Sequence, residues 1–177
     1  MRALLLSVPR ACARNGSSMF RPSKIISGGQ TGADRAGLDA AKQLGIVTGG
    51  QAPFGYMTEN GPDLSLQDFG LSNAGNYFQR TRTNVLRSDA TIVFMRALSR
   101  GSKVTLDYCA RLKKPFYAVN PSVELAKGAW ELREWLAMYQ PAVLNVAGNR
   151  ESVAPGIHDE VVRVLVMALS PEDVSCA

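Results

Sequence analysis

A chain of 177 residues, 46% of them hydrophobic, is long enough for one domain with a sizeable core and short for two. Its net charge of +5 is unevenly placed: Arg2, Arg10, Arg14 and Arg21 precede the first acidic residue, Asp34, and the remaining 16 basic residues face 15 acidic ones, which argues against a broad nucleic-acid footprint. No run approaches the ~20 apolar residues that span a bilayer, and three scattered cysteines, Cys12, Cys109 and Cys176, imply neither a disulfide framework nor a zinc site.

Residues 1–23 are rich in Arg, Ala, Leu and Ser and lack acids, the composition of an organelle presequence. The apolar part, Ala3 to Leu6, is too short for a secretory core. The reading is a mitochondrial leader; a disordered extension, initiation at Met19 and a cytoplasmic location are the alternatives. A domain over 24–170 and a tail over 171–177 complete the expected organisation.

Lys24 to Ser27 is short, β-branched and bounded by glycine, which suits a buried parallel strand. Gly28, Gly29 and Gly32 then form a turn, and Ala36, Leu38, Ala40, Ala41 and Leu44 recur at helical spacing. The turn's amides are expected to point outward at the positive end of a helix dipole, a place that suits an anion. The pattern is neither a Walker loop nor a dinucleotide fingerprint, and a tight chain reversal without ligand is the competing explanation.

A short second strand ends at Gly49-Gly50, and an irregular stretch from Gln51 to Asn76 reads as a long loop across the cleft. Tyr77 to Arg87 is helical, with Tyr77, Arg80, Thr81, Asn84 and Ser88 on one face; Arg80 is the member best suited to an anion. Ala90 to Met95 is the clearest buried strand. It feeds a second small-residue turn, Ser99, Gly101 and Ser102, and a helix from Val104 to Leu112. Two such turns at one sheet edge strengthen the case for a phosphate cradle.

Phe116 to Asn120 is a fourth strand. A helix over Ser122 to Met138 carries Leu125, Trp130, Leu132, Trp135 and Leu136 on its apolar face. With no basic patch beside them, the tryptophans read as core or subunit contacts in a homo-oligomer. Ala142 to Val146 is a fifth strand, and Gly156 to Leu169 a final helix. The sole histidine, His158, has no second histidine to help it hold a metal and reads as a helix-terminus or surface residue; no metal site is expected. Five strands alternating with helices predict an α/β fold, a single Rossmann-like domain with a doubly wound, mostly parallel sheet.

Four ordered motifs carry a family resemblance: Ser27 to Arg35, Glu59-Asn60-Gly61-Pro62, Tyr77 to Thr91, and Leu144 to Ser152. Together they resemble the putative molybdenum-carrier family, a circularly permuted branch of the SLOG group of Rossmann-like nucleotide-binding proteins. The resemblance implies a small phosphorylated, nucleotide-like ligand in the glycine-turn cleft, with molybdenum cofactor or a nucleotide as the candidate cofactors. Carried over by motif, the ligand-facing residues are Gly28, Gly29, Gln30, Thr31, Gly32, Asp34, Arg35, Glu59, Arg80, Asn84, Gly101, Ser102, Thr105, Gly148 and Ser152. Where the family carries Gly-Gly-Thr before the second helix of the cradle, this chain has Gly101-Ser102-Lys103. A carrier or sensor is the leading function. A nucleotide N-glycoside hydrolase using Glu59, Asp34 or Asp39, and a structural subunit without ligand, are the alternatives.

Overall fold

The computed structural model describes residues 20–122 and 124–170. The presequence and tail readings lie outside the described residues. The first strand, β1 (Lys24–Ser27), is buried from Ile25 onward and is hydrogen-bonded on both sides. On one side it pairs in parallel with β2 (Val47–Ala52), and β2 with β5 (Leu71–Asn73). On the other it pairs with β8 (Val143–Gly148), followed by β6 (Ala90–Phe94) and β7 (Phe116–Val119). The result is a six-stranded parallel sheet of order β5-β2-β1-β8-β6-β7, with β8 as the seam between the early and the middle strands.

Side chains alternate across each strand, so the register sorts the two faces. Ile25, Leu144, Val146, Ile92 and Phe94 enter the main core with α1 (Ala33–Gln43), α4 (Leu125–Tyr139) and α5 (Ile157–Leu169). Each large apolar side chain buried there contributes about 1.5–3 kcal/mol. The opposite face lies under α2 (Tyr77–Arg87) and α3 (Arg100–Arg111) and is more polar. There Thr91 and Asn145 are both buried, and Asn145 Nδ2 donates to Thr91 Oγ1 at 3.2 Å.

Several sequence expectations shift. The sheet has six strands rather than five, because Leu71–Asn73 lies in the stretch read as loop; three residues are too few to show a period-two pattern. That stretch also holds two 3-10 turns, Phe54–Tyr56 and Leu64–Phe69, and a hairpin of β3 (Met57–Thr58) with β4 (Gly61–Pro62). A smaller core of Leu38, Ala52, Tyr56, Leu66, Phe69 and Leu71 packs it onto α1. The second strand runs through Gly49 and Gly50 to Ala52. The helix after β6 starts at Arg100 rather than Val104, where the Ser99 side chain accepts from the Ser102 amide. On α4, Trp130 is 61% exposed and not part of the apolar face, whereas Trp135 stacks on Tyr117 and meets the Tyr139 ring at a tilt. No helix among the described residues is long and apolar enough to cross a membrane.

Candidate functional site

The glycine turn after β1 is built for close packing. A Cβ at Gly28 would overlap the Arg80 guanidinium and approach Asp34, so this glycine makes room for the ion pair Arg80 Nη1–Asp34 Oδ2 at 2.8 Å. Gly29 faces Leu66 and Leu71 of the smaller core. Gly32, at φ 71°, lies against the backbone of Asn149 to Glu151. The expectation that this turn's amides point outward meets a different arrangement. Gln30 N donates to Asp34 Oδ2 at 3.4 Å, Thr31 N to Gln30 Oε1 at 3.0 Å, and Ala33 N to Asn149 O at 3.0 Å.

Glu59 straps the irregular segment to the same place. Its carboxylate accepts from the Thr31 and Ser152 hydroxyls and from Ser152 N. Burial pushes its pKa up, but the hydrogen bonds from Ser152 and Thr31 and the Arg150 charge outweigh that, and the net shift is downward. Arg35 turns elsewhere: it bonds Asp39 at 3.1 Å and Asp63 at 2.9 Å and lies over the Phe69 ring. Asn84 is committed at both ends of its amide, accepting from Gln51 N at 2.9 Å and donating to Gln51 O at 3.0 Å.

A cavity of about 450 Å³ opens between α2, α3 and the polar face of the sheet. Gln30, Asp34, Arg80, Asn84, Gly101, Thr105, Gly148 and Ser152 line it; Gly28, Gly29, Thr31, Gly32, Arg35, Glu59 and Ser102 do not. Ser102 instead joins a buried network, its hydroxyl meeting Ser99 Oγ and accepting from Asn149 Nδ2 at 3.0 Å. Gly148 lets the strand pass Phe94, whose carbonyl oxygen lies 2.0 Å from where a Cβ would stand.

The wall also holds residues outside the carried-over set: Phe78, Arg100, Val104, Arg150 and Val153, together with Asn145, which the sequence reads as a donor at this sheet edge. Asn145 and Arg150 sit inside the fourth motif and Arg100 inside the second small-residue turn, which was the available signal; Phe78 lies in the third motif, but as an apolar helix residue it carries no mark of ligand contact. Two guanidinium groups approach the Tyr77 ring, Arg150 at 5.5 Å and Arg80 at 5.9 Å from its centroid.

The electrostatics favour an anion. Three guanidinium groups reach the cavity wall against one carboxylate, Asp34. The N-terminus of α3 joins them, and at Gly101 a Cβ would meet nothing nearer than Ser99 Oγ at 3.9 Å, so the backbone there is open to approach. Two of the lining residues, Gln30 and Arg80, each hold a buried donor, Nε2 and Nε, with no hydrogen-bond partner among the described residues. Gln30 is 4% exposed. Leaving such groups unpaired costs about 1–3 kcal/mol each.

A parallel sheet flanked by helices, with a cationic cleft at the carboxyl ends of its strands, defines a Rossmann-like protein. The model of the circularly permuted YpsA SLOG family matches residues 25–169, and the chain belongs to that family. It is similar to the crystal structure of a putative molybdenum carrier protein from Syntrophus aciditrophicus SB, with a TM-score of 0.80 and 34% sequence identity over 85% of this chain and 97% of that one. No curated protein matches.

Proposed function

We propose that this chain binds a small phosphorylated, nucleotide-like ligand in the cavity between α2 and α3 and acts as its carrier or sensor. The observation that carries this reading is the cationic wall of Arg80, Arg100 and Arg150 beside the open α3 N-terminus at Gly101, where Gln30 and Arg80 also hold buried donors without a partner among the described residues. A ligand oxyanion supplies acceptors for these guanidinium groups and for the helix N-terminus. Phe78, Val104 and Val153 offer apolar contact for a ring, and Asn145 offers a polar edge on the floor.

The molybdenum carrier named for the similar structure makes a pterin phosphate a candidate cargo. The donor set fits its phosphate. Among the described residues no thiol or imidazole lines the cavity, so a metal carried here would be held through its own organic ligand. Among the described residues no cluster of His, Cys, Asp and Glu is arranged to hold a metal ion. Glu59 is held ionised by three donors and lies outside the lining, which favours binding over N-glycoside hydrolysis by a Glu59 acid.

Thermal unfolding with adenosine or guanosine 5′-monophosphate, or a pterin phosphate, tests this. The midpoint is expected to rise with the logarithm of ligand concentration. Arg150→Ala is expected to weaken binding by about 1.5–3 kcal/mol. No shift with any of these at millimolar concentration would refute the reading, and base released from the monophosphates would replace it with a hydrolase. A mitochondrial leader over residues 1–23 and a homo-oligomeric state remain proposals from sequence, to be tested by a reporter fusion and by native mass spectrometry.

A further inference from the structure

The modest net charge of +3 over residues 24–170 is an average over a strongly dipolar molecule. Residues 76–115, which hold α2, β6 and α3, contain nine basic and two acidic side chains, a net +7. The other residues of 24–170 contain seven basic and eleven acidic ones, a net −4. Three of the nine are occupied: Arg80 with Asp34, Arg96 with Glu160, and Lys114 Nζ donating to Ser88 O at 2.7 Å. The other six, Arg82, Arg87, Arg100, Lys103, Arg111 and Lys113, are all exposed, and among the described residues none of them forms an ion pair or hydrogen bond through its side chain.

The acidic residues in the segment do little to offset them. Asp89 accepts from Val143 N at 2.8 Å at the far end of the sheet, which leaves Asp107 as the one acid on the two helices. A single-sign face of this kind repels itself and adds nothing to packing; mixed charge would give the same solubility. Its placement relative to the cavity supplies a use. Both helices start at the carboxyl edge of the sheet, where Tyr77, Phe78, Arg100 and Gly101 line the cavity, so the positive helix ends and the unpaired cations form one continuous field leading to the opening.

We propose that the α2–α3 face is an electrostatic funnel that draws small anionic ligands into the cavity, acting on the association rate rather than on the bound state. The proposal rests on the cavity being an anion site. The helices are roughly 17 Å long, and the Debye length is about 10 Å at 0.1 M salt. Arg87, Arg111 and Lys113, at the far ends, therefore reach the opening only at low salt. A polyanion such as RNA is the weaker fit, because the exposed aromatic of these helices, Phe78, belongs to the cavity wall and leaves no stacking platform on the outer face.

The test is stopped-flow association of the full chain with a fluorescent N-methylanthraniloyl derivative of adenosine 5′-monophosphate, at 20 and 300 mM NaCl. For the wild type, kon is expected to fall about tenfold across that range. The triple variant Arg87→Glu, Arg111→Glu, Lys113→Glu alters only residues outside the cavity. At 20 mM it should lower kon about fivefold or more, leave koff within twofold, and flatten the salt dependence; the corresponding triple Gln variant should fall between. Binding with kon equal in wild type and variants, or a change carried by koff, would overturn the funnel and leave the cavity reading intact. No binding at any salt would overturn both. A gel shift of a 20-nucleotide RNA abolished by the same triple variant would overturn the funnel in favour of a polyanion surface.

Discussion

A Cβ added at Gly32 would stand 2.5 Å from the carbonyl oxygen of Asn149 and 2.7 Å from the amide nitrogen of Glu151. Read from sequence, Gly32 is a place where bare backbone meets a ligand; in the structure it is where bare backbone meets the loop after β8. Gly32→Val combines left-handed strain with an overlap against backbone, and is expected to lower stability by about 3 kcal/mol or more, read from urea unfolding. The glycine turn was legible because strand, glycine and helix are local signals. What each glycine makes room for was not, because Arg80, Leu66 and Asn149 arrive from distant parts of the chain. Glu59 follows the same logic. Its motif marked it as chemically important, and its bonds to Thr31 and Ser152 make it a strap that no local pattern encodes.

Among the elements, those with strong periodicity were read well. Ala90–Phe94 is buried throughout, and α1 and α5 occupy close to their expected spans. Short or polar elements escaped, as with Leu71–Asn73, where tertiary pairing with β2 does what local propensity does not. His158 shows how packing gives a lone residue a role. It joins two helices, with Nε2 2.9 Å from Asp39 of α1 and Nδ1 2.8 Å from Asp159 of α5. Burial alone would depress its pKa, but the hydrogen bonds and charges of Asp159 and Asp39 outweigh it, and the net shift is upward. A group raised in the folded state stabilises fully below its unfolded pKa, near ~6.5, and loses that contribution as pH rises through the folded value. Wild type is therefore expected to lose stability relative to His158→Gln between pH 6 and pH 8.5, measured as the difference in urea midpoints; a constant difference would remove His158 from the α1–α5 contact.

For the whole molecule, the doubly wound parallel sheet followed from the alternation of strands and helices, while strand order did not, since no local signal says which strand lies beside which. That order places β8 between β1 and β6, with each register running along the strand. The two groups β5-β2-β1 and β6-β7 share no ladder of their own. On the ribosome they therefore emerge as separate ribbons with unpaired inner edges, and neither can complete its pairing until residue 148 has been made. Folding of this domain is expected to wait for the synthesis of β8, with β1 and β6 gaining amide protection together in pulsed hydrogen exchange. A chain stopped after Gln140 should show no cooperative unfolding transition. Until β8 arrives, the exposed inner edges of β1 and β6 are open templates for pairing with other nascent chains, so the interval between synthesis of β6 and β8 is when this protein most needs a chaperone.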